Sequence, residues 1–197
     1  MKETIKMGLS LMITTLIAGA VLALTNYYTY PIIIKQRENI ISSSLREIID
    51  ADSFKENQNY YEAYKGKNLV GRVLKVSAKG YSSTIYALVG IDRNNKITGI
   101  KIISQAETPG LGAKIEEKDF LNQFIGKTEN QIKIKKDGGE IDAITGATIS
   151  SSSITNAIRE SIKRFNIKDR TSKKVMAKVY VKNEYMKNVK NETNQTP

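Results

Sequence analysis

Between Lys6 and Lys35 the chain runs for 28 residues without a charge. The first part, Met7 through Leu24, reads MGLSLMITTLIAGAVLAL. As a helix rising ~1.5 Å per residue it covers roughly 27 Å, close to the hydrocarbon thickness of a bilayer. Thr25 through Tyr30 extends it to the interface, where the rings of Tyr27, Tyr28 and Tyr30 suit the headgroup level, and Pro31 is read as the exit. The run is read as a membrane anchor, and two other readings stand beside it. A buried core helix shares the apolarity but rarely lacks charge over such a length. A cleaved secretory signal would use Lys2 and Lys6 as its basic region and Ala18-Gly19-Ala20 as its cleavage signature, although the apolar run continues past Ala20. Either membrane-directed reading keeps the short basic amino terminus in the cytoplasm and puts the body of the protein on the far side.

The rest of the 197-residue chain holds one core and excludes several chemistries. There is no Cys, His or Trp. Thiolate nucleophiles, disulfides, iron-sulfur and imidazole ligation, the usual zinc sites and His-based triads are therefore absent, and no metal site is expected. Carboxylates, Lys, Tyr, hydroxyls and a bound organic cofactor remain. The net charge of +11 would suit a polyanion or an anionic lipid surface. Yet residues 168–197 alone hold eight Lys/Arg against three Asp/Glu, and the remainder is spread along the chain. That pattern reads as a solvated surface and a basic tail, with no nucleic-acid partner, since no basic motif is interleaved with aromatics.

Hydrophobic spacing sets the class. Glu38 through Ala51 places Ile40, Ile41, Leu45, Ile48 and Ile49 at helical intervals, and Asp52 through Lys67 reads as a polar connection. Leu69–Val76, Tyr81–Ile91 and Lys96–Ile103 read as strands of a small antiparallel sheet, with a turn at Asp92 through Asn95. A short helix is expected over Lys118–Ile125 and a strand over Gln131–Lys136. A longer helix is expected over Ser151–Phe165, with residues 154, 157, 158, 162 and 165 on one face, and Val175–Val181 could add a strand in the tail. The expected class is α+β: a single transmembrane helix, then a small antiparallel-sheet domain with a few helices. The divisions are an anchor over 1–34, a helical and linker segment over 35–67, a domain over 68–167 and a basic tail over 168–197.

Two loops stand out. Glu107-Thr108-Pro109-Gly110-Leu111-Gly112 follows a strand; Pro109 presets a turn and the glycines allow positive φ and close backbone approach to a ligand. By itself it reads sooner as a structural turn. Asp142-Ala143-Ile144-Thr145-Gly146-Ala147-Thr148 precedes Ile149 and the serine run Ser150 through Ser153. Small residues, exposed hydroxyls and a helix start favour a phosphate-bearing ligand there, while a serine N-cap after a Gly-Ala turn is the plainer alternative.

Together, E-T-P-G-L-G and, some 30 residues on, D-x-x-T-G-A-T before a helix resemble the FMN-binding domain family found in the G-type subunit of the Rnf electron-transport complex. The C-type subunit of the sodium-translocating NADH:quinone reductase shares much of the pattern. The match takes in the anchor, Gly80-Tyr81, Val89-Gly90-Ile91-Asp92 and both loops in order, from residue 5 to 167. Thr145 stands where Ser is frequent, and the tail after Lys168 is outside the pattern. The resemblance implies covalent FMN, held as a phosphoester on Thr148 and attached by a separate flavin transferase from FAD. Asp142, Thr145, Gly146 and Ala147 would be its recognition context, and Glu107, Thr108, Pro109, Gly110, Leu111 and Gly112 would pack near the ring. It implies no catalytic residue of the chain's own. It also implies an electron carrier in a complex that couples ferredoxin:NAD electron transfer to sodium or proton translocation, with other membrane subunits, the transferase and membrane lipid as partners. Its domain would lie on the extracytoplasmic side of the cell membrane. A quinone-reductase-type subunit or a stand-alone extracytoplasmic flavodomain is the alternative within flavoproteins. A non-enzymatic anchored basic binding module is the alternative outside them.

Overall fold

The computed structural model describes residues 2–167, which divide into two compact units with the break between Ser44 and Leu45. The first unit is helical. Helix α1 runs Lys2–Ile48, and its apolar window has a mean hydropathy of 2.1 with none of it buried in the chain. It is the one helix among the described residues long and apolar enough to cross a membrane. Contrary to the exit expected at Pro31, the helix continues through that residue. Proline removes one hydrogen bond, and the turns on either side carry the helix past it. The helix expected over 38–51 is thus the end of α1.

In the second unit, strands β1 (Ser53–Glu56), β2 (Tyr60–Lys65), β3 (Asn68–Lys79), β4 (Thr84–Asp92) and β5 (Ile97–Ser104) form one antiparallel sheet in sequence order. The polar connection expected over 52–67 is corrected here: it contains β1 and β2. The period-two signal in YYEAYK is carried by Tyr61 and Ala63, which are buried, between half-buried Tyr60, Glu62 and Tyr64. Tyrosines on both faces hide that alternation from a count of polar residues. Between β4 and β5, Asp92 Oδ1 accepts from the amides of Asn94 (2.7 Å) and Lys96 (2.9 Å), and Asn95 takes the left-handed φ of 60°.

One face of the sheet is covered along its length and the other only in part, Lys75, Ser77 and Tyr86 being exposed on it. On one, Leu74, Val76 and Ala78 of β3 lie opposite Val89, Ala87 and Ile85 of β4, which in turn face β5 through Ile100 and Ile102. This face packs with Ile115, Phe120, Leu121, Phe124, Ile132, Ile134 and Ile141 and with the final helix. On the other, Gly90 lies opposite Gly99 and receives Ile48 from the end of α1. A Cβ at Gly99 would stand 2.8 Å from the Ile48 carbonyl oxygen and 2.9 Å from its Cα, so backbone reaches backbone only because both positions lack side chains. Lys101 Nζ and Glu47 Oε2, 2.9 Å apart, border the same contact.

After β5 the chain makes a 3-10 turn at Gly112–Glu116, the short helix α2 (Lys118–Leu121) and a 3-10 turn at Asn122–Phe124. The strand expected over 131–136 is absent: 3-10 turns at Glu129–Gln131 and Lys135–Asp137 flank a single parallel bridge between Ile134 and Ile141. Ile132 and Ile134 alternate as in a strand, but only one ladder contact forms. Helix α3 spans 148–167, beginning three residues before the expected Ser151, and buries Ile154, Ile158 and Ile162 completely. The architecture is α+β, as the hydrophobic spacing requires. The strand expected at Val175–Val181 and the basic tail lie outside the described residues.

Candidate functional site

The chain brings its two loops together at the start of α3. Tyr81, Glu107, Thr108, Leu111, Gly112, Gly146, Ala147, Thr148, Ile149 and Ser150 line one cleft of about 310 Å³. Seven of these belong to the two motifs. Pro109 and Gly110 shape the first loop without lining the cleft: the Leu111 amide donates to the Thr108 carbonyl at 3.2 Å, closing a turn with Gly110 at φ 76°. Asp142 and Thr145 also stand outside the lining. The Asp142 carboxylate pairs with Lys135 at 2.7 Å, and its amide donates to Gln123 Oε1 at 2.6 Å, which fixes the start of the second motif. A turn from Ile144 to Ala147 follows, closed at 2.9 Å and needing Gly146 at φ 79°.

The motif leads straight into α3, so Thr148 is itself the first helical residue, and it is exposed. The amides of a helix's first turn have no intrahelical acceptor and sit at the positive end of its dipole. An exposed hydroxyl stands among them. Exposed Tyr81, Leu111 and Ile149 supply apolar surface around the cleft, and Gly146 and Ala147 keep its floor free of bulk.

Glu107 behaves differently from an open ligand-binding acid. It is 5% exposed, and its two carboxylate oxygens accept five hydrogen bonds. Oε1 takes the amides of Ser82 (3.1 Å) and Ser83 (2.8 Å) and the Ser83 hydroxyl (3.1 Å). Oε2 takes the Tyr81 amide (3.1 Å) and the Ser150 hydroxyl (2.6 Å). Burial pushes this carboxyl up, but the donors outweigh it: the Ser150 hydroxyl, the Ser83 and Ser82 amides and the Ser83 hydroxyl hold it below the usual carboxylate range. It is a buried anion whose lone pairs are already engaged.

Two glycines make room for it. A Cβ at Gly80 would collide with Glu107 Oε1, and one at Gly112 would lie 2.9 Å from Glu107 Cβ, 3.0 Å from Oε2 and 3.2 Å from Ser150 Oγ. The motifs by themselves do not reveal the donors of this cluster. Their signal is the G-Y-S-S turn at 80–83 and the serine run at 150–153, each of which looks like ordinary turn or cap chemistry in isolation.

A larger groove, about 610 Å³, lies between the β1–β2 turn, β3 and α3, with Tyr60, Lys75, Asn156, Glu160, Arg164 and Phe165 among its walls. It contains no residue of either motif. Chemistry rather than size decides the assignment: the exposed hydroxyl, the helix start and the glycine loop meet only in the smaller cleft.

Residues 80–163 match the model of the FMN-binding domain family. Over 162 residues the chain is 32% identical to the G-type subunit of the proton-translocating ferredoxin:NAD(+) oxidoreductase complex of Clostridium ljungdahlii, covering 79% of this chain and 88% of that one. It is 31% identical to the G-type subunit of the Na(+)-translocating ferredoxin:NAD(+) oxidoreductase complex of Acetobacterium woodii, covering 82% and 91%. Among solved structures, the C-type subunit of the Na(+)-translocating NADH-quinone reductase of Parabacteroides distasonis is 25% identical over 52% of this chain and 58% of that one, with a TM-score of 0.43. With nearly the whole of the two ferredoxin:NAD(+) oxidoreductase relatives covered, the chain belongs to the family of G-type subunits of ion-translocating oxidoreductase complexes and carries that family's FMN-binding domain.

Proposed function

We propose that this protein is a membrane-anchored electron-transfer subunit of an Rnf-type complex, carrying FMN esterified to Thr148. The observation that carries the reading is the position of Thr148: an exposed hydroxyl on the first residue of α3, in the wall of the cleft that the 107–112 loop also lines. The residues fit the group. Unbonded amides at the helix start suit an ester phosphate, Gly146 and Ala147 admit a flat ring against the backbone, and Tyr81, Leu111 and Ile149 offer it apolar surface.

Bound there, FMN supplies the capacity to take up and release electrons singly. The chain's own part is to hold, orient and partly shield the group. Glu107 is committed to its five donors and Asp142 to Lys135, so neither carboxylate is poised to activate Thr148. A separate flavin transferase therefore supplies the base, with FAD as donor, and exposed Asp142 and Thr145 are part of the surface it reads.

α1 and the complexes to which the relatives belong support a membrane-anchored protein, and the short basic amino terminus with Lys2 and Lys6 favours the extracytoplasmic side for the domain. A covalent bond keeps the cofactor in place where the free flavin pool is dilute. The other subunits of the complex are its electron partners, and the assembly couples ferredoxin:NAD electron transfer to sodium or proton translocation. Mass spectrometry of full-length protein made with the transferase tests the site: an FMN adduct on the peptide containing Thr148 supports it, and a flavin-free peptide refutes it.

A further inference from the structure

We propose that Glu107 and Ser150 are a positioning pair for the acceptor hydroxyl, holding the first turn of α3 in the orientation that flavinylation requires. This rests on the reading of Thr148 given above. The residue before the helix is Ala147, whose carbonyl accepts the Ser151 amide at 3.0 Å but whose side chain offers the helix start no acceptor. The first turn thus lacks the usual restraint. Two consecutive serines supply a substitute. Ser151 Oγ donates to the Ala147 carbonyl at 2.9 Å and accepts the Ile144 amide at 3.1 Å, which ties the motif loop to the helix. Ser150 Oγ donates to Glu107 Oε2 at 2.6 Å, which ties the helix to the other loop.

The second tie sets direction. Ser150 is 2% exposed and Thr148 is exposed, two residues and about 200° apart around the helix. Fixing the inward bond of Ser150 fixes the azimuth of Thr148. Glu107 can serve as the fixed point because the amides of residues 81–83 also hold its two carboxylate oxygens. In the step so served, Thr148 Oγ1 bonds to the flavin-side phosphorus of FAD while the pyrophosphate P–O bond breaks. AMP leaves with the bridging oxygen, and the hydroxyl proton passes to a base of the transferase.

The test uses the full chain with purified transferase and FAD, following flavin incorporation by mass and amide exchange of the 144–151 peptide before modification. Ser150→Ala and Glu107→Gln are compared with wild type and with Ile158→Val, a remote α3 change that lowers thermal stability without touching the pair. In the Ser150 and Glu107 variants the initial rate of incorporation should fall about tenfold or more, and exchange at the hydrogen-bonded amides of Ile144, Ala147 and Ser151 should rise by a similar factor, the scale of one lost hydrogen bond to a charged group. Ile158→Val should leave both within about twofold. Wild-type incorporation in Ser150→Ala, or equal slowing in Ile158→Val, overturns the positioning role while leaving the Thr148 site intact. Absence of flavin from the wild-type chain overturns the site assignment and the proposal together.

Discussion

The Ser150 hydroxyl donates to the Glu107 carboxylate at 2.6 Å across 43 positions of sequence, and both residues are buried. This one bond joins the loop after β5 to the first turn of α3. Through the amides of 81–83 it reaches the β3–β4 turn as well.

The pair should be visible in acid. Glu107 has a lowered pKa in the folded chain, so its contribution to stability is complete above the ordinary carboxylate value of about 4.3 and is lost as pH falls through the lower folded value. Glu56 and Glu140 are also lowered, chiefly by hydrogen bonds from Lys75 and Lys127, but both acids are well exposed and their share is screened by salt. Thermal melts from pH 7 down to about 3, run at high salt, should therefore retain an acid-sensitive component that Glu107→Gln removes. Identical pH profiles for the two proteins would contradict the assignment.

Glycine at 112 should be required by contact rather than by dihedral. A methyl group there meets Glu107 and Ser150 at once, so Gly112→Ala should destabilise by about 1–3 kcal/mol. Gly110→Ala meets no atom within 4 Å but must hold φ 76°, costing about 1–2 kcal/mol. The two separate in combination with Ser150→Ala: the Gly112 penalty should shrink in a double-mutant cycle and the Gly110 penalty should add. Denaturant melts measure both.

The Gly90–Gly99 pair should be equally intolerant, for a different reason. Gly99→Val would press on the Ile48 backbone, which has no rotamer to give way, and should lower the melting temperature of the full chain in detergent by several degrees for each ~1 kcal/mol lost. Protease digestion should then cut more readily near residues 48–52. An unchanged melt with unchanged digestion would mean that this contact contributes little.

At the acceptor, Thr148→Ser should still take up flavin and Thr148→Ala should take up none, read as fluorescence of the band on a denaturing gel. Thr145→Ala keeps the acceptor hydroxyl but alters the exposed surface that the transferase reads, so it should take up flavin more slowly and still end with the adduct on Thr148. Flavin on Thr148→Ala would move the site elsewhere.

Much of this is legible in the sequence because it rests on local signals. The charge-free run marks α1, the alternation in 69–103 marks β3 to β5, and the spacing of Ile154, Ile158 and Ile162 marks the buried face of α3. What stays hidden depends on contacts distant in sequence. β1 and β2 are polar and tyrosine-rich because they occupy one side of the sheet, where β1 is an exposed edge. The serines carry cap chemistry and so mark the expected start of α3, whereas Ser150 and Ser151 face inward from its first turn and the helix begins on Thr148. The motif glutamate looks available to a ligand, since nothing local reveals that a turn 24 to 26 residues earlier saturates it.

That saturation has a consequence for selectivity. Three successive amides, from Tyr81, Ser82 and Ser83, form the kind of concavity that captures phosphate from solution, and it lies at the edge of the cleft. Occupied by a carboxylate from its own chain, it repels rather than collects stray anions. On the reading of Thr148 proposed above, the amides at the helix start are then the ones left open to a phosphoryl group in this cleft.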